Sequence, residues 1–331
     1  MRIVIAPDSF KGSLAASLVA SAIADGWRSV RPDDELLLIP QADGGEGTLD
    51  AIEAAVPGAR RRSAGAVTGP DGRLIPGEWL ELPDAVAVVE LAQASGLPLM
   101  DSLDPMGAHT RGMGEVIRAA LLDGAQSLVV ALGGSASTDG GRGALEALGW
   151  PSVILPPPGG VILLTDVTAP LLGPTGAAAV FGPQKGASPA QVAELDARLA
   201  RWADRLGGDP AAPGAGAAGG TAYGLATAWG AAIRPGAIYI AELTGATSAI
   251  AGADLLVTGE GRFDDQSLGG KVVGSLIAQS DIPVAIIAGQ LAAAAPGWAA
   301  SLVELAGSVD AAMGDPVRWL RAAGANAARE A

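Results

Sequence analysis

The chain has 331 residues and carries 35 Asp and Glu against 21 Lys and Arg, which gives a formal net charge of −14 at pH 7. This length accommodates two α/β domains, or one large domain with an insertion. Such an acidic protein is a poor generic ligand of nucleic acid and of anionic membranes, so neither is an expected partner. Because the sequence contains no cysteine, disulfides, thiolate nucleophiles and Cys-ligated zinc are excluded.

The setting of the single histidine argues against a histidine-based catalytic or metal site, and the most apolar stretches do not fit a signal peptide or membrane spans. His109 is the one histidine, and its neighbours match neither a catalytic triad nor a metal-binding pattern, so a structural or surface role is expected. The apolar N-terminus is shorter than a signal peptide and lacks a cleavage site. The uncharged stretches 210–233 and 282–303 are rich in Gly or broken by Pro, which argues against membrane spans. The sequence therefore predicts a cytoplasmic protein.

The first sixty residues alternate between strands and helices. Residues 2–6 form an apolar, β-rich run, and a helix is predicted after it, with Ser13 as its N-cap and Leu18 on its apolar face. Residues 36–40 predict a second buried strand, and a glycine-rich segment leads into a helix over 49–55. Strands and helices that alternate with short connections predict a parallel sheet with helices on both faces.

The middle of the chain has a different pattern of predicted elements. Residues 67–82 have the pattern of a β-hairpin around a turn at 69–72. Further strands are predicted over 85–90, 127–132 and 161–165.

The alternation of strands and helices returns at the C-terminal end. Residues 254–258 and 283–288 predict strands, with a helix over 271–279 between them. Residues 301–306 are interpreted as a short last strand before a C-terminal helix. The two ends of the chain are therefore expected to build one domain together.

These elements predict an α/β protein with two domains. Residues 1–64 and 251–331 are expected to form a discontinuous Rossmann- or flavodoxin-like domain with a parallel sheet. Residues 65–250 are expected to form a second α/β domain, inserted into the first. The active site is expected in the cleft between the two domains.

Acidic side chains follow the predicted strands at five places. In open parallel sheets, ligands bind in the crevice at the carboxyl ends of the strands. One aspartate in such a loop is an ordinary turn or N-cap residue, but five acids in corresponding positions favour ligand or metal binding by at least two of them. These residues are Asp8, Asp43, Asp139, Asp166 and Glu260.

The lysines are a second, independent indication of a ligand-binding site. The chain has three lysines among its 21 basic residues, and each one adjoins a glycine. A lysine ammonium is a compact charge suited to a single phosphate oxygen, whereas arginine is a planar fork. The pattern therefore predicts that at least one lysine binds phosphate, although three surface lysines would also produce it. The three are Lys11, which is the first candidate, Lys185 and Lys271.

Glycine-rich turns add capacity for binding anions. The loop 132–141 follows a predicted strand and precedes a helix, so its backbone N–H groups and hydroxyls could hold phosphate. The turn 259–264 has the same setting and contributes Arg262. No Walker A sequence is present. Residues 214–219 match the dinucleotide-binding pattern by letter but follow no predicted strand, so the match is interpreted as fortuitous.

Seven motifs, in order along the chain, resemble the bacterial glycerate kinase family, whose fold is unrelated to P-loop and sugar-kinase folds. The motifs span nearly the whole chain, which makes the resemblance specific. They occupy residues 6–13, 42–48, 131–141, 165–174, 181–187, 214–220 and 258–266.

Three departures from the family pattern concern the details of the site. Family members usually have Cys-Asp-Val-x-Asn where residues 165–169 are Thr-Asp-Val-Thr-Ala, so a side-chain amide is missing here. The segment 141–161 is shorter than usual, and Arg111 stands where a tyrosine is usual.

The resemblance implies that ATP donates its γ-phosphoryl group to a hydroxyl group of D-glycerate, with Mg²⁺ as cofactor and 2-phosphoglycerate as the favoured product. Homo-oligomerisation stays open. Two alternatives are another nucleotide-dependent enzyme on a Rossmann-like sheet and a non-catalytic regulator that binds a sugar acid. The set of lysines and carboxylates argues against the regulator, which would not need groups for phosphoryl transfer.

Phosphoryl transfer depends mainly on positioning and charge neutralisation, and this chemistry gives the residues above four expected roles. Lys11 is expected to neutralise the transferring group, and Asp8 or Glu46 to orient or deprotonate the attacking hydroxyl. The expected catalytic residues are Asp8, Lys11, Asp43 and Glu46. The expected ATP and phosphate ligands are Gly133, Gly134, Ser135, Asp139, Lys185 and Glu260. The expected substrate ligands are Ser9, Arg262, Asp264 and Lys271, and the expected metal ligands are Asp166 and Asp43.

Overall fold

The computed structural model describes residues 1–152, 155–269 and 271–331. The chain divides into two compact units. The first unit consists of Met1–Asp43, Asp50–Pro57 and Ala237–Ala331, and the second of Gly44–Leu49 and Gly58–Gly236. The predicted two-domain α/β class is confirmed.

The described part of the first unit contains one five-stranded sheet, and all of its strand pairs are parallel. Its strands are β1 (Arg2–Ile5), β2 (Glu35–Leu38), β9 (Leu255–Phe263), β10 (Val284–Leu291) and β11 (Trp298–Ser301). They lie in the order β2-β1-β9-β10-β11. This is the doubly wound order of flavodoxin-like sheets. The chain adds β2 on one side of β1 and then adds β9, β10 and β11 on the other side, so the order of the strands reverses between β1 and β9.

Helices cover both faces of this sheet. On one face, α1 and α14 pack over Ile3, Ile5 and Val257, while α9, α10 and α11 pack over Val4 and Leu256 on the other. The helices of this unit are α1 (Ala16–Arg28), α9 (Gly236–Leu243), α10 (Ala246–Ala251), α11 (Val272–Ala278), α12 (Leu302–Ala306), α13 (Val309–Gly314) and α14 (Pro316–Glu330). The helix α2 (Thr48–Ala55) begins among the residues of the second unit and continues in the first.

The described residues of the second unit form a six-stranded mixed sheet in the order β3-β4-β5-β6-β7-β8. Its first two pairings are antiparallel and the other three are parallel. The strands are β3 (Arg60–Thr68), β4 (Leu74–Leu82), β5 (Val86–Glu90), β6 (Ser127–Ala131), β7 (Val161–Leu164) and β8 (Ala232–Arg234). The predicted hairpin and the three predicted middle strands are confirmed.

The helices of the second unit lie along the chain between β5 and β8. The longest, α7, begins with a capping box in which the Ser188 hydroxyl accepts from the backbone N–H of Gln191. The helices are α3 (Leu91–Ser95), α4 (Arg111–Leu122), α5 (Arg142–Leu148), α6 (Ala177–Phe181), α7 (Pro189–Leu206) and α8 (Ala217–Trp229). No helix within the described ranges is both long enough and apolar enough to cross a membrane.

Both domain boundaries differ from the predicted ones near residues 64 and 250. The strand β3 pairs with β4 along its length, so it belongs to the inserted unit from its first residue. On the other side, Ala241, Ala246 and Ile250 pack against the sheet of the first unit, so α9 and α10 belong there. The chain therefore changes unit earlier than predicted at both places.

Two local predictions were wrong. Ser13 does not cap α1, because residues 10–14 form a turn closed by Phe10 and Leu14 and the helix begins only at Ala16. This shift leaves Leu18 54% exposed instead of buried. Residues 302–306 form α12 and not a strand, since the Ser301 hydroxyl accepts from the backbone N–H of Glu304 and caps a helix there.

Candidate active site

Several of the predicted site residues line one cavity of about 400 Å³ in the first unit. They come from the segment after β1, the segment after β2, the end of β9 and the start of α11. These positions share the carboxyl edge of the parallel sheet, next to the switch between β1 and β9, where open sheets of this type bind ligands. The predicted residues that the cavity brings together are Asp8, Ser9, Lys11, Asp43, Glu260, Arg262, Asp264 and Lys271.

The chain after β1 is held against β9 by hydrogen bonds. The backbone N–H of Asp8 donates to the carbonyl of Gly259 at 2.8 Å, and the Thr258 hydroxyl donates to the carbonyl of Ala6 at 2.8 Å. These bonds bring Asp8 alongside Glu260. Glu260 was predicted to follow its strand but lies inside β9, which continues to Phe263 because it pairs with β10 up to Leu291.

Burial changes the acidity of both carboxyl groups. It raises the pKa of Asp8 to about 7, the negative charge of Asp43 adds to this rise, and the Lys11 ammonium opposes it. Burial likewise raises the pKa of Glu260. The Oε1 atom of Glu260 is buried and has no hydrogen-bond partner among the described residues. A buried oxygen without a partner is costly, which is expected where a ligand or a cation completes the site.

The cations of the cavity lie beside these acids. Lys11 Nζ is 3.8 Å from Asp43 Oδ2. Arg262 donates from Nη1 to Gln290 Oε1 at 2.7 Å, and its Nε lies 3.5 Å from Asp264 Oδ2. Lys271 is the residue directly before α11, and Gly270, which adjoins it in the sequence, lies outside the described residues. The first unit thus places two of the three lysines at one cavity.

In the second unit, a buried glutamate organises the loop that carries Glu46. Glu90 is 1% exposed, and its carboxylate accepts from the backbone N–H groups of Gly47 at 3.1 Å and of Leu49 at 3.0 Å. Gly44 and Gly47 both have φ of +87°, a backbone conformation that favours glycine. Glu46 itself is exposed.

Sequence reasoning missed Glu90. A glutamate at the end of an otherwise apolar predicted strand was the available signal, because a buried carboxylate needs partners and here finds two backbone donors. Its role in the structure is to position the loop that precedes α2.

The glycine-rich loop after β6 packs closely on the Glu46 loop. The backbone N–H of Gly133 donates to the carbonyl of Gly44 at 2.9 Å, and a Cβ atom at Gly133 would lie 2.5 Å from the Cα atom of Gly45. The carbonyl of Gly134 accepts from the backbone N–H of Leu97, and the Ser135 hydroxyl pairs with that of Ser137 at 3.1 Å. The predicted phosphate loop is therefore a tightly constrained turn.

Asp139 is engaged by the protein itself. Its Oδ2 accepts from the backbone N–H of Thr110 at 2.9 Å, from the Thr110 hydroxyl at 2.8 Å and from the backbone N–H of Gly143 at 3.1 Å. Its Oδ1 accepts from the backbone N–H of Gly141 at 3.1 Å. These bonds join the starts of α4 and α5, so the carboxylate has a clear structural function.

Lys185 is the most deeply buried cation among the predicted residues. Its side chain is 2% exposed, and its ammonium donates to the backbone carbonyl of Ser137. Burial lowers its pKa to about 8, and the charge of Asp139 opposes this shift. At pH 7 the group is thus still mostly protonated, and it supports the loop after β6 from inside the unit.

Asp166 follows β7 as predicted. Its Oδ1 accepts from the backbone N–H of Gly236, the first residue of α9, at 3.0 Å. The second unit thus holds Glu46, Gly133, Gly134, Ser135, Asp139, Asp166 and Lys185.

Comparison with known proteins settles the family. The model of the glycerate kinase family matches residues 3–153 and 159–331. The chain belongs to the glycerate kinase family.

Named relatives agree with this membership. The glycerate 2-kinase of Escherichia coli is 39% identical over 330 residues, which cover 88% of this chain and 86% of the relative. The glycerate kinase of Bacillus subtilis is 39% identical over 328 residues, with 88% and 85% covered. A crystal structure assigned to glycerate kinase 2 of Salmonella typhimurium superimposes with a TM-score of 0.82 at 35% identity and covers all of this chain and 98% of that one.

The departures from the family pattern fall in the second unit. Arg111, in place of the usual tyrosine, is exposed at the start of α4, where its Nε lies 3.1 Å from Glu115 Oε1. Asp166 keeps its position after β7 although the amide expected at residue 169 is absent. Residues 153 and 154 of the shortened segment lie outside the described residues.

Proposed function

We propose that this protein transfers the γ-phosphoryl group of ATP to a hydroxyl group of D-glycerate and that the product is 2-phosphoglycerate. Membership in the glycerate kinase family makes it a phosphotransferase that acts on an alcohol group. The observation that carries the proposal is the cavity of the first unit. In a protein of net charge −14, it gathers two lysines and an arginine beside buried carboxylates.

Asp8 is the proposed general base. Its pKa of about 7 makes it half-ionised near neutral pH, so it can accept a proton from the attacking hydroxyl and release it again after transfer. Its backbone is bonded to β9, which keeps the carboxylate in place. The backbone N–H of Ser9 donates to Asp8 Oδ1 at 2.6 Å, and Asp8 lines the cavity where the substrate would bind.

Lys11 is the proposed cation for the transferring group. Its ammonium lies beside Asp43 at the cavity, and Lys271 and Arg262 line the same space. Charge builds up on the oxygens of the transferring phosphoryl group and on the leaving phosphate, and fixed cations there lower the barrier. Arg262 and Lys271 are the proposed ligands of the glycerate carboxylate or of an ATP phosphate, and Ser9 and Asp264 are further proposed substrate ligands.

The carboxylates also fit a requirement for Mg²⁺. Within the described ranges, no group of three or more Asp, Glu or His side chains forms a preformed metal site. Mg²⁺ needs no such cage, because it takes one or two carboxylates and completes its shell with phosphate oxygens and water. Asp43 is partly exposed at the cavity, and Glu260, whose buried Oε1 has no hydrogen-bond partner among the described residues, also lines it. When bound with ATP, Mg²⁺ would neutralise charge on the phosphates.

The remaining predicted residues keep their proposed roles in the second unit. Asp166 is the second proposed metal ligand, and Glu46 is a second candidate for the base. Gly133, Gly134, Ser135, Asp139 and Lys185 are proposed to form a phosphate-binding site around the loop after β6, in which Asp139 and Lys185 hold the loop in shape from inside. The constrained backbone of their loop supports this role, since a preorganised loop binds an anion at a smaller entropic cost.

A coupled ADP-release assay tests the function. ADP release that depends on D-glycerate, with little release for glycerol, tartronate or no acceptor, is the expected result. Release that is independent of D-glycerate would contradict the proposal and favour another nucleotide-dependent enzyme. Phosphorus NMR of the product then distinguishes 2-phosphoglycerate from 3-phosphoglycerate.

A further inference from the structure

The cavity of the first unit has an apolar wall that the phosphoryl-transfer residues do not explain. The wall comes from three consecutive helices, α12, α13 and the start of α14. Its side chains are Leu302, Val303, Val309, Ala312, Met313 and Pro316. D-glycerate carries oxygen on each of its three carbons, so it has no apolar surface that such a wall could bury.

Two of these side chains are unusually open for their type. Val309 is 54% and Met313 is 53% exposed. They lie four residues apart on α13, so they occupy the same face of the helix. Large apolar side chains that are exposed together at a cavity mark a binding surface for an apolar group.

Two glycines from neighbouring strands also line the cavity. Gly261 of β9 and Gly289 of β10 both line the cavity and carry no side chain into it. A Cβ atom at Gly289 would lie 2.3 Å from the carbonyl oxygen of Gly261, so no larger residue fits there without a shift. Beside them, Gln290 Oε1 accepts from Arg262, which fixes the orientation of the side-chain amide.

The same cavity therefore offers two kinds of contact. Lys11, Arg262 and Lys271 provide positive charge, and the helices α12 and α13 provide an apolar surface. Its volume of about 400 Å³ falls in the range of small-molecule sites, which are typically about 300–1,000 Å³. A molecule that needs both contacts carries a flat, weakly polar ring system at one end and phosphates at the other.

We infer that the wall formed by Val309, Met313 and their neighbours binds the purine base of the nucleotide and that the phosphates of the same molecule extend toward Lys11 and Lys271. The inference rests on the proposed function, in which ATP is the phosphoryl donor. It assigns the base of the nucleotide to the first unit and gives α13 a role in choosing it. Met suits this task, because its flexible thioether packs well on aromatic rings.

Binding measured without glycerate tests the inference separately from catalysis. Calorimetric titrations of the full chain compare ADP with inorganic tripolyphosphate, which has phosphates but no base. For Met313→Gln and Val309→Asn, we expect ADP affinity to fall about tenfold for each substitution, because each removes apolar contact with the base. Tripolyphosphate affinity should stay within about twofold of the parent.

Two further variants and a folding check keep the test decisive. Met313→Leu, which conserves apolar volume, should bind ADP as the parent does. Leu18→Gln is the matched control, because Leu18 is 54% exposed in the same unit and does not line the cavity. Circular dichroism and thermal unfolding show whether each variant is folded.

Two results would overturn the inference. One is unchanged ADP binding by folded Met313→Gln and Val309→Asn proteins. The other is an equal loss of tripolyphosphate and ADP binding. Failure of the proposed function is a different outcome: the parent would then bind ADP through this wall but show no release of ADP that depends on D-glycerate.

Discussion

Replacing Lys185 with methionine should stabilise the folded protein at neutral pH. The Lys185 ammonium is buried, and its pKa is lowered from 10.5 to about 8. This difference of about 2.5 pKa units corresponds to about 3 kcal/mol for keeping the charge in the folded protein, at about 1.36 kcal/mol per unit. Methionine has a similar length and removes the charge, so it removes this cost.

The lost hydrogen bond offsets part of the gain. Lys185 donates to the carbonyl of Ser137, and an unsatisfied buried carbonyl costs about 1–3 kcal/mol. This carbonyl also lies 3.5 Å from the Ser135 hydroxyl, which remains as a weak donor in the variant. We therefore expect Lys185→Met to raise the free energy of unfolding by about 1–2 kcal/mol at pH 7.

The stability difference between the variant and the parent should depend on pH, and its direction follows from the lowered pKa of Lys185. The folded pKa of Lys185 lies below the unfolded one, so between pH 8 and 10.5 the unfolded chain binds a proton that the folded chain does not. The contribution of Lys185 to the stability of the parent therefore rises with pH through this window. Below pH 8 both states are protonated, and the full cost of the buried charge is present. The advantage of the variant should thus be largest below pH 8 and shrink as the pH approaches 10.5.

Urea unfolding followed by circular dichroism at pH 7 and pH 10 measures both effects. Arg118→Met is a suitable control, because Arg118 is exposed in the same unit and its replacement should change stability by less than about 0.5 kcal/mol. A Lys185→Met protein that is less stable than the parent at pH 7, or whose advantage does not decrease at pH 10, would refute the reasoning.

The other predictions concern the cavity and its supports. Lys11→Ala should lower kcat by on the order of a hundredfold with unchanged circular dichroism, and turnover within a few-fold of the parent in the ADP-release assay would remove Lys11 as the cation for the transferring group. In the parent, kcat/KM should fall as the pH drops below about 7, since the proposed base Asp8 becomes protonated. Asp8→Asn should lose this acid limb, and a variant that keeps both the limb and the activity would exclude Asp8 as the base. Glu90→Gln replaces one acceptor oxygen with an amide donor that faces a backbone N–H group, so the free energy of unfolding in urea should fall by about 1–3 kcal/mol. An unchanged unfolding midpoint would contradict the role of Glu90 in positioning the loop.

Periodicity and turn chemistry predicted most strands of both sheets, but they missed β8 and β11 and failed at short apolar segments. The run Ile3–Ile5 and the hairpin turn at 69–72 each have one structural interpretation, and both were confirmed. The segment 301–306 is short and apolar, and such segments fit a strand or a helix equally well. The Ser301 cap decided for a helix, and without that helix the apolar wall of the cavity could not be foreseen.

The end of β9 shows a similar limit for the site. From the sequence, Glu260 belongs to a glycine turn after a strand. The structure extends the strand through it because β10 supplies partners as far as Leu291. Where a strand ends depends on its neighbour in the sheet, and that neighbour is separated in the chain by an intervening helix.

By itself, the amino-acid sequence determined the chemistry that is available: the acids after the strands, three lysines beside glycines and no cysteine. The tertiary structure alone decided which of these groups share a cavity and which, like Asp139, are used to join neighbouring helices. It also decided their charge, since Asp8 and Lys185 have shifted pKa values because they are buried. Burial is a property of the packed chain, so no local pattern of residues can specify it.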